Sequence, residues 1–304
     1  MVAAHPNAPS KHHYIPECYL KAWSSDGGRF CEFKRGYANR VRRRWTSPGG
    51  TGYALDLYAI PELGENSGDI ESLFLRMVDT RAAALLDRLR NDDPRDFDAR
   101  DRSVWATFLM SLLLRNPESI GAIKAAIVER WNAPRPELQK LYEDHYKKDG
   151  DPDSVDEYLA RDGSNGAYRL LYDMIPDVMT HKRVGTFIVN MHWRVVTVPM
   201  GVREFLTSDR PIITTNGLAI EDGHLAIPIS PRKLFIASRA KAIADQIVGM
   251  RSKDLVARTN QLIVERAKKF VFATDQQQAR FIENRISKEQ IPTLGETIAK
   301  NADW

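Results

Sequence analysis

The chain has 304 residues, 43% of them hydrophobic, and its 44 Lys and Arg residues against 40 Asp and Glu residues leave a net charge of only +4. This length allows a sizeable core, but so small a charge excess excludes a protein whose whole surface attracts nucleic acid, and any polyanion site has to be local. Two cysteines exclude a disulfide framework and fit a reducing cytoplasm, and the sequence offers neither a signal-peptide pattern nor an apolar run that could span a bilayer.

The chain opens on two adjacent histidines, His12 and His13, shortly before Pro16. The residue before a proline favours extended backbone, so residues 11–15 are predicted to form an extended arm, and Pro16 suits the first turn of a short helix. In extended backbone His12 and Tyr14 face one way and His13 the other. Both imidazoles therefore reach one site only if the arm bends.

A β-hairpin is predicted over residues 29–46, between two segments rich in Gly and other turn residues. Its second strand, over residues 40–46, is strongly basic, with Arg40, Arg42, Arg43 and Arg44, and it also carries Trp45. Arginines beside aromatic residues can bind the phosphates and stack on the bases of single-stranded RNA or DNA. The alternative is a basic edge strand that resists aggregation.

Helical periodicity dominates the middle third. Apolar residues recur at helical spacing over residues 70–89, and residues 99–115 carry a broad apolar stripe typical of a core helix. Further helices are predicted at residues 117–131, 137–146, 154–160 and 165–181, then at 254–268 and 275–285. Predicted strands of the last third cover residues 186–190, 192–198, 204–207, 225–229, 233–237 and 270–273.

These elements predict an α+β fold with a mixed or antiparallel sheet. The sheet is built from the C-terminal third plus the N-terminal hairpin, and the helical middle segment packs beside it. We expect disorder over residues 1–10 and a single domain over residues 11–286, with a helical insert at about 68–183. Residues 287–304 are expected to form a C-terminal tail.

Asp209 follows a predicted strand within the segment 205–211. This is a common position for a catalytic carboxylate, because the sheet holds the residue rigidly and the following loop leaves it open to substrate. The alternative is that Ser208 and Asp209 hydrogen-bond to their own turn before Pro211.

Four further residues are candidates for the site. Histidine is the commonest neutral metal ligand and the usual acid or base near neutral pH, which favours His12 and His13; alternatively one of them packs and the other is exposed. Arg115 ends the apolar helix, where a cation also simply complements the helix carbonyl end. Asn260 precedes the last strand and is either a ligand or a core residue bonded to backbone.

Several well-known patterns are missing from the sequence. It has no glycine-rich phosphate loop, no Gly-x-Ser-x-Gly elbow, no His-Glu-x-x-His and no Cys-x-x-Cys. Nucleotide-driven, serine-hydrolase, zincin and redox functions therefore lose support.

A set of short motifs resembles the bacterial family labelled domain of unknown function 4238. The resemblance spans about residues 11–274, and its pieces are His12-His13-Tyr14-Ile15-Pro16 followed by Tyr19-Leu20, the segment 28–33, Arg115-Asn116-Pro117, Thr207-Ser208-Asp209-Arg210-Pro211, and Asn260. The resemblance implies no established chemistry. It implies a place in bacterial defence or toxin-like systems.

We expect a phosphodiester hydrolase that acts on nucleic acid or a nucleotide and joins the arm to Asp209. In one route His13 and Asp209 hold Mg²⁺ or Mn²⁺ and His12 activates a water. In a metal-free route one histidine is the base, and Arg115 or Arg210 stabilises the transition state. The alternative function is a non-catalytic defence or regulatory module, in which the arm is structural and the basic hairpin binds the partner.

Overall fold

The computed structural model describes residues 11–25, 27–37, 40–58, 74–91, 94–131, 136–160, 182–215, 218 and 220–301. The predicted disordered start over residues 1–10 and the helix predicted over residues 165–181 lie outside these ranges. So does the first turn of the helix predicted from residue 70.

The described strands, in chain order, are β1 (Lys11–His13), β2 (Phe30–Arg35), β3 (Val41–Thr46), β4 (Tyr53–Leu55), β5 (His192–Thr197), β6 (Thr207–Ser208), β7 (Ile213–Thr215), β8 (His224–Ser230), β9 (Lys233–Ser238) and β10 (Phe270–Ala273). The described helices are α1 (Glu17–Leu20), α2 (Arg76–Asn91), α3 (Ala99–Leu114), α4 (Pro117–Trp131), α5 (Pro136–Leu141), α6 (Val155–Ala160), α7 (Lys182–Asn190), α8 (Lys241–Val248), α9 (Ser252–Arg266), α10 (Ala279–Glu283) and α11 (Leu294–Asn301). None of these helices is long and apolar enough to cross a membrane.

The predicted α+β class is confirmed, and the described strands pair antiparallel. One four-stranded sheet has the order β3-β2-β10-β6, so the N-terminal hairpin joins C-terminal strands as expected. A second four-stranded sheet has the order β5-β9-β8-β7, and β1 pairs with β4 in a two-stranded ribbon. The expected single sheet is thus two sheets and a ribbon.

Two of the predicted strands differ from the observed structure. The strand predicted over residues 186–190 is wrong, because these residues belong to α7, where Ile188 is fully buried in the core. Tertiary packing here overrides a local preference for β structure. The strand predicted over residues 204–207 shortens to β6, because Trp23 donates to the Phe205 carbonyl and the Asn260 side chain accepts from the Leu206 N–H, at 3.0 and 2.9 Å.

Side-chain caps fix where the helices around the site begin. Asp98 accepts from the Asp101 N–H at the start of α3, at 2.8 Å. Asn116 accepts from the Ser119 N–H at 2.9 Å, and Pro117 occupies the first position of α4. The Arg115-Asn116-Pro117 motif is therefore the junction between α3 and α4.

The core lies on both faces of the first sheet. The larger apolar cluster joins the helices to the second sheet and contains Trp23, Trp105 and Trp193, all essentially buried. Helix α1 is bonded to both sheets, because the Tyr19 hydroxyl lies 2.7 Å from Thr207 Oγ1 and donates to the Pro228 carbonyl at 2.7 Å. The chain start is thus fixed to strands almost two hundred residues away in sequence.

Helix α11, in the predicted tail, packs closely on α4. Thr293 and Glu296 cap it reciprocally, with the Thr293 N–H donating to Glu296 Oε2 at 2.6 Å and the Glu296 N–H donating to Thr293 Oγ1 at 3.1 Å. A Cβ added at Gly295 would overlap the Ser119 side chain and lie 2.6 Å from its Cα. The absence of a side chain at residue 295 is what permits this approach.

We expect Gly295→Ala to lower the free energy of unfolding by about 1–3 kcal/mol, because the added methyl must displace Ser119 or its helix. Urea unfolding measures this change. The matched control is Gly121→Ala in α4, where a Cβ meets no atom within 4 Å; it should be neutral or stabilising by up to about 1 kcal/mol. Equal effects of the two substitutions would contradict the packing described here.

Candidate functional site

His12 is bonded to the backbone that follows β4. Its side chain is 2% exposed, its Nδ1 accepts from the Tyr58 N–H at 3.1 Å, and its ring stacks on the Tyr58 ring at 5.3 Å. Burial lowers the pKa of His12, although the negative charge of Asp56 opposes that shift. A neutral imidazole that accepts a backbone hydrogen bond fits a structural role.

His13 faces a different group of residues. Its Nε2 lies 3.7 Å from Glu17 Oε1, and its ring meets the Tyr53 ring edge-on. Burial lowers the pKa of His13, while the negative charge of Glu17 and, more weakly, that of Asp79 raise it. His13 is therefore neutral near pH 7 and lies among carboxylates.

Arg115 is fully buried and paired with Asp79, a residue that no sequence motif had singled out. Its Nη1 donates to both carboxylate oxygens of Asp79, at 2.9 and 3.1 Å. Within the described part of the chain, the buried Nε and Nη2 atoms of Arg115 have no hydrogen-bond partner. The negative charge of Asp79 thus acts on both Arg115 and His13, which links two predicted site residues.

Asp209 fastens the loop after β6 to the start of β10. Its carboxylate accepts from three successive backbone N–H groups, those of Lys268, Lys269 and Phe270, at 2.9, 2.6 and 3.0 Å. Its own N–H donates to the Phe270 carbonyl at 3.0 Å. Burial raises the pKa of Asp209 to about 6, and the three N–H donors oppose that shift.

Ser208 and Asn260 also bond to backbone. Ser208 Oγ accepts from the Arg210 N–H at 3.2 Å, as in the turn alternative. The Asn260 amide accepts from the Leu206 N–H and donates to the Glu204 carbonyl at 2.8 Å. The predicted alternative of a backbone-bonded core residue describes Asn260.

The expected meeting of the arm's histidines with Asp209 is not seen among the described contacts. The described hydrogen bonds and ion pairs of His12 and His13 do not involve Asp209, because strand alternation turns the two rings toward Tyr58 and Glu17 respectively. Tyr14 is the arm residue that lines a cavity with Asp209. No described hydrogen bond or ion pair joins the predicted metal ligands His13 and Asp209, and the described residues contain no group of three or more His, Cys, Asp or Glu that could hold a metal ion.

The basic hairpin presents fewer free charges than its sequence indicates. Arg44 is bonded to the buried carboxylate of Glu32 at 2.6 and 3.1 Å, and Arg43 pairs with Glu283 at 2.7 Å. Thr51 donates a short hydrogen bond to the same Glu32 carboxylate. The other predicted binding residues, Arg40, Arg42 and Trp45, are exposed on or beside the edge strand β3.

A cavity of about 610 Å³ with several charged residues in its wall, which we name the Tyr14 cavity, brings three of the short motifs together. It is lined by Tyr14, Arg35, Gly36, Tyr53, Ala54, Asn116, Pro117, Glu118, Asp209, Lys268 and Lys269. Burial first, and then the negative charges of Asp209 and Glu118, raise the pKa of Tyr14, so its hydroxyl stays protonated. Sequence reasoning missed the two lysines, since only the fold brings them beside Asp209.

The fold and this cavity define the class: an α+β protein in which short motifs at residues 12–16, 115–117 and 207–211 meet around one cavity lined by both basic and acidic residues. The chain belongs to the family described as Protein of unknown function (DUF4238), whose model matches residues 11–277. The resemblance seen in the sequence is thereby confirmed. No curated protein and no solved structure matches the chain.

We expect Asp209→Asn to lower the free energy of unfolding by about 2–4 kcal/mol, because an amide nitrogen would face backbone N–H donors that now share a carboxylate. Denaturant titration followed by circular dichroism measures this loss. The control is Asp149→Asn, a carboxylate exposed in a loop, which should change stability by less than about 0.5 kcal/mol. An unchanged unfolding midpoint for Asp209→Asn would contradict the role of this carboxylate in fastening the loop after β6 to β10.

Proposed function

We propose that the chain is a binding module for a nucleotide or single-stranded nucleic acid, with phosphate held in the Tyr14 cavity. One observation carries the proposal: Tyr14, Asn116 and Asp209, from three of the short motifs found in the sequence, line one cavity beside Lys268 and Lys269. Motifs that share a cavity are more simply explained by a ligand than by three unrelated packing needs. In this function the arm over residues 11–15 and Asp209 shape the wall of the Tyr14 cavity and perform no catalysis.

The cations of the cavity are supported by backbone contacts. Asp209 holds the N–H groups of Lys268 and Lys269, and the Arg35 N–H donates to the Lys269 carbonyl at 2.8 Å. Three cationic side chains therefore start from fixed backbone around the cavity. The N-terminus of α4, whose first residues line the same cavity, adds the positive end of a helix dipole.

Aromatic side chains and a row of cations extend this surface. Lys11 lies over the Tyr53 ring at 4.8 Å, and a tyrosine of this kind can stack on a base. Lys34 is paired across the hairpin with Arg42, and both Lys34 and Lys269 lie over the Phe270 ring, at 5.7 and 5.4 Å. The expected role of the hairpin thus passes from Arg44, which Glu32 neutralises, to Arg42 and its neighbour Lys34.

We expect the Lys268→Ala, Lys269→Ala double variant to bind a fluorescent oligouridylate at least about ten-fold more weakly than the native chain. The slope of log affinity against log salt should fall by about 1–2, because two phosphate contacts no longer release counterions. Fluorescence anisotropy at several salt concentrations measures both quantities.

The matched control for this double variant is Lys241→Ala, Lys253→Ala, which removes the same charge from exposed positions on α8 and α9. It should retain native affinity and slope. Equal losses of affinity in the two double variants would show only an effect of net charge. Binding to the native chain that does not depend on salt concentration would contradict a phosphate site in the Tyr14 cavity.

A metal-independent phosphodiester hydrolase is the second candidate, and the contacts of Asp79 favour it. A neutral His13 is in the form of a general base, and two nitrogens of Arg115, Nε and Nη2, have no partner among the described residues and could stabilise charge on a phosphoryl group. This is the metal-free route, with Asp79 orienting the guanidinium. A role in a bacterial defence or toxin-like system stays a prediction for either candidate.

For the second candidate we expect hydrolysis of labelled RNA or DNA to survive EDTA and to fall at least about 100-fold in His13→Ala, the range typical of a lost general base. The control is His192→Ala, an exposed histidine on β5, which should keep full activity. Melting temperatures separate lost chemistry from lost folding. Absence of hydrolysis in the native chain, or its loss on EDTA treatment, sinks the metal-free route and leaves the binding module standing.

A further inference from the structure

A second cavity, of about 440 Å³, lies beside the Tyr14 cavity and is mainly apolar. We name it the Arg210 pocket. Its apolar walls come from α3, α7, the loop before β7 and the start of α11, and they include Leu112, Leu113, Phe187, Ile212 and Leu294. A volume within the usual range for small-molecule sites, apolar walls and a few polar groups are the features of a ligand site. Nothing in the proposed function uses this pocket.

Arg210 is the polar residue of the pocket that could fix the orientation of a ligand. Its Nη1 donates to the Ile291 carbonyl at 2.8 Å, and its Nη2 lies 3.9 Å from Glu118 Oε2. Its Nε is buried and, among the residues that the structure describes, has no hydrogen-bond partner. A buried donor without an acceptor is costly, so it requires an explanation. An acceptor carried by a ligand in the pocket would satisfy it.

The other charged groups at the pocket are already paired. Arg266 donates to Glu289 at 2.9 Å and to the Thr214 carbonyl at 3.2 Å. The carboxylate of Asp209 is held by its three N–H donors. Of the charged groups at the pocket, Arg210 has the buried donor, Nε, that the described residues leave without an acceptor, and its partner Glu118 is 3.9 Å away at the weak limit of an ion pair.

We propose that the Arg210 pocket binds a small apolar molecule that ends in a carboxylate. The apolar part packs among Leu112, Ile212 and Leu294, and the carboxylate accepts from Arg210 Nε. A carboxylate is favoured over a neutral carbonyl or hydroxyl, because hydrogen bonds between ionised partners are the stronger ones and a guanidinium suits a carboxylate.

The position of one wall indicates which part of the chain sets the preference for the ligand. Residues 291–294, together with Thr297, line the pocket, and they lie beyond the family match at residues 11–277. The contact between Gly295 and Ser119 sets how closely this wall approaches α4. Arg210 thus lies within the region that the family model matches, whereas the wall formed by residues 291–294 and Thr297 lies in the segment after that region.

The test is calorimetric titration of the full chain with decanoate and, separately, with decanol. Decanoate should bind at least ten-fold more tightly than decanol, since only the acid offers an anionic acceptor to Arg210. Arg210→Gln should weaken decanoate to the level of decanol and leave decanol unchanged. The matched control, Arg251→Gln, removes an exposed arginine elsewhere and should change neither affinity.

A second variant keeps the test decisive if Arg210→Gln disturbs the fold. Leu294→Trp adds volume to the wall from α11 and should reduce binding of both compounds at least ten-fold, while the chain melts as a folded protein. Three outcomes would overturn the proposal: no heat from decanoate with the folded native chain, equal affinities for the acid and the alcohol, or decanoate binding unaffected by Leu294→Trp. None of these outcomes bears on oligonucleotide binding in the Tyr14 cavity.

Discussion

The carboxylate of Asp209 is the interaction on which the rest of the structure depends. It accepts from the N–H groups of residues 268–270, just where β10 begins. Strand β10 lies between β2 and β6 and therefore connects the N-terminal hairpin to the C-terminal part of the chain. Anchoring its first residue sets the register of both neighbours and turns Lys268 and Lys269 toward the Tyr14 cavity. A neutral side chain could not accept three N–H groups in the same way.

The short motifs that carry the resemblance make sense as parts of one junction. His12 holds the segment after β4 through the Tyr58 N–H, and Tyr58 in turn donates to the Arg115 carbonyl at 3.1 Å. Asn116 then caps α4, whose first residues meet Asp209 at the Tyr14 cavity. Each of these polar side chains is buried and bonded to backbone, which makes them expensive to replace even where they perform no chemistry.

Local patterns predicted what is local. The hairpin, the strand over residues 270–273 and the broad apolar stripe of α3 follow from turn residues and periodicity, and they are observed. The alternatives for Ser208 and Asn260 could be named but not decided, because their partners depend on the fold. Asp79 was missed for a physical reason: on an amphipathic helix it resembles any solvated acid, and only the fold places Arg115 against it. The strand prediction for residues 186–190 was wrong because burial of Ile188 in a helix outweighs the β propensity of this segment.

The two cavities share Asn116 and Asp209, so the question arises whether ligands in them would influence each other. A ligand shifts an equilibrium only by its different affinity for two states. The shared wall is held by three N–H bonds to one carboxylate and by a helix cap, so a second arrangement of this wall would have to break these four hydrogen bonds. Arg210 is different, because its Nη2 lies as far as 3.9 Å from Glu118 Oε2, which makes a weak ion pair. Glu118 also lines the Tyr14 cavity. Any coupling between a phosphate in the Tyr14 cavity and a carboxylate ligand in the Arg210 pocket would therefore pass through this weak ion pair rather than through the hydrogen bonds of Asp209.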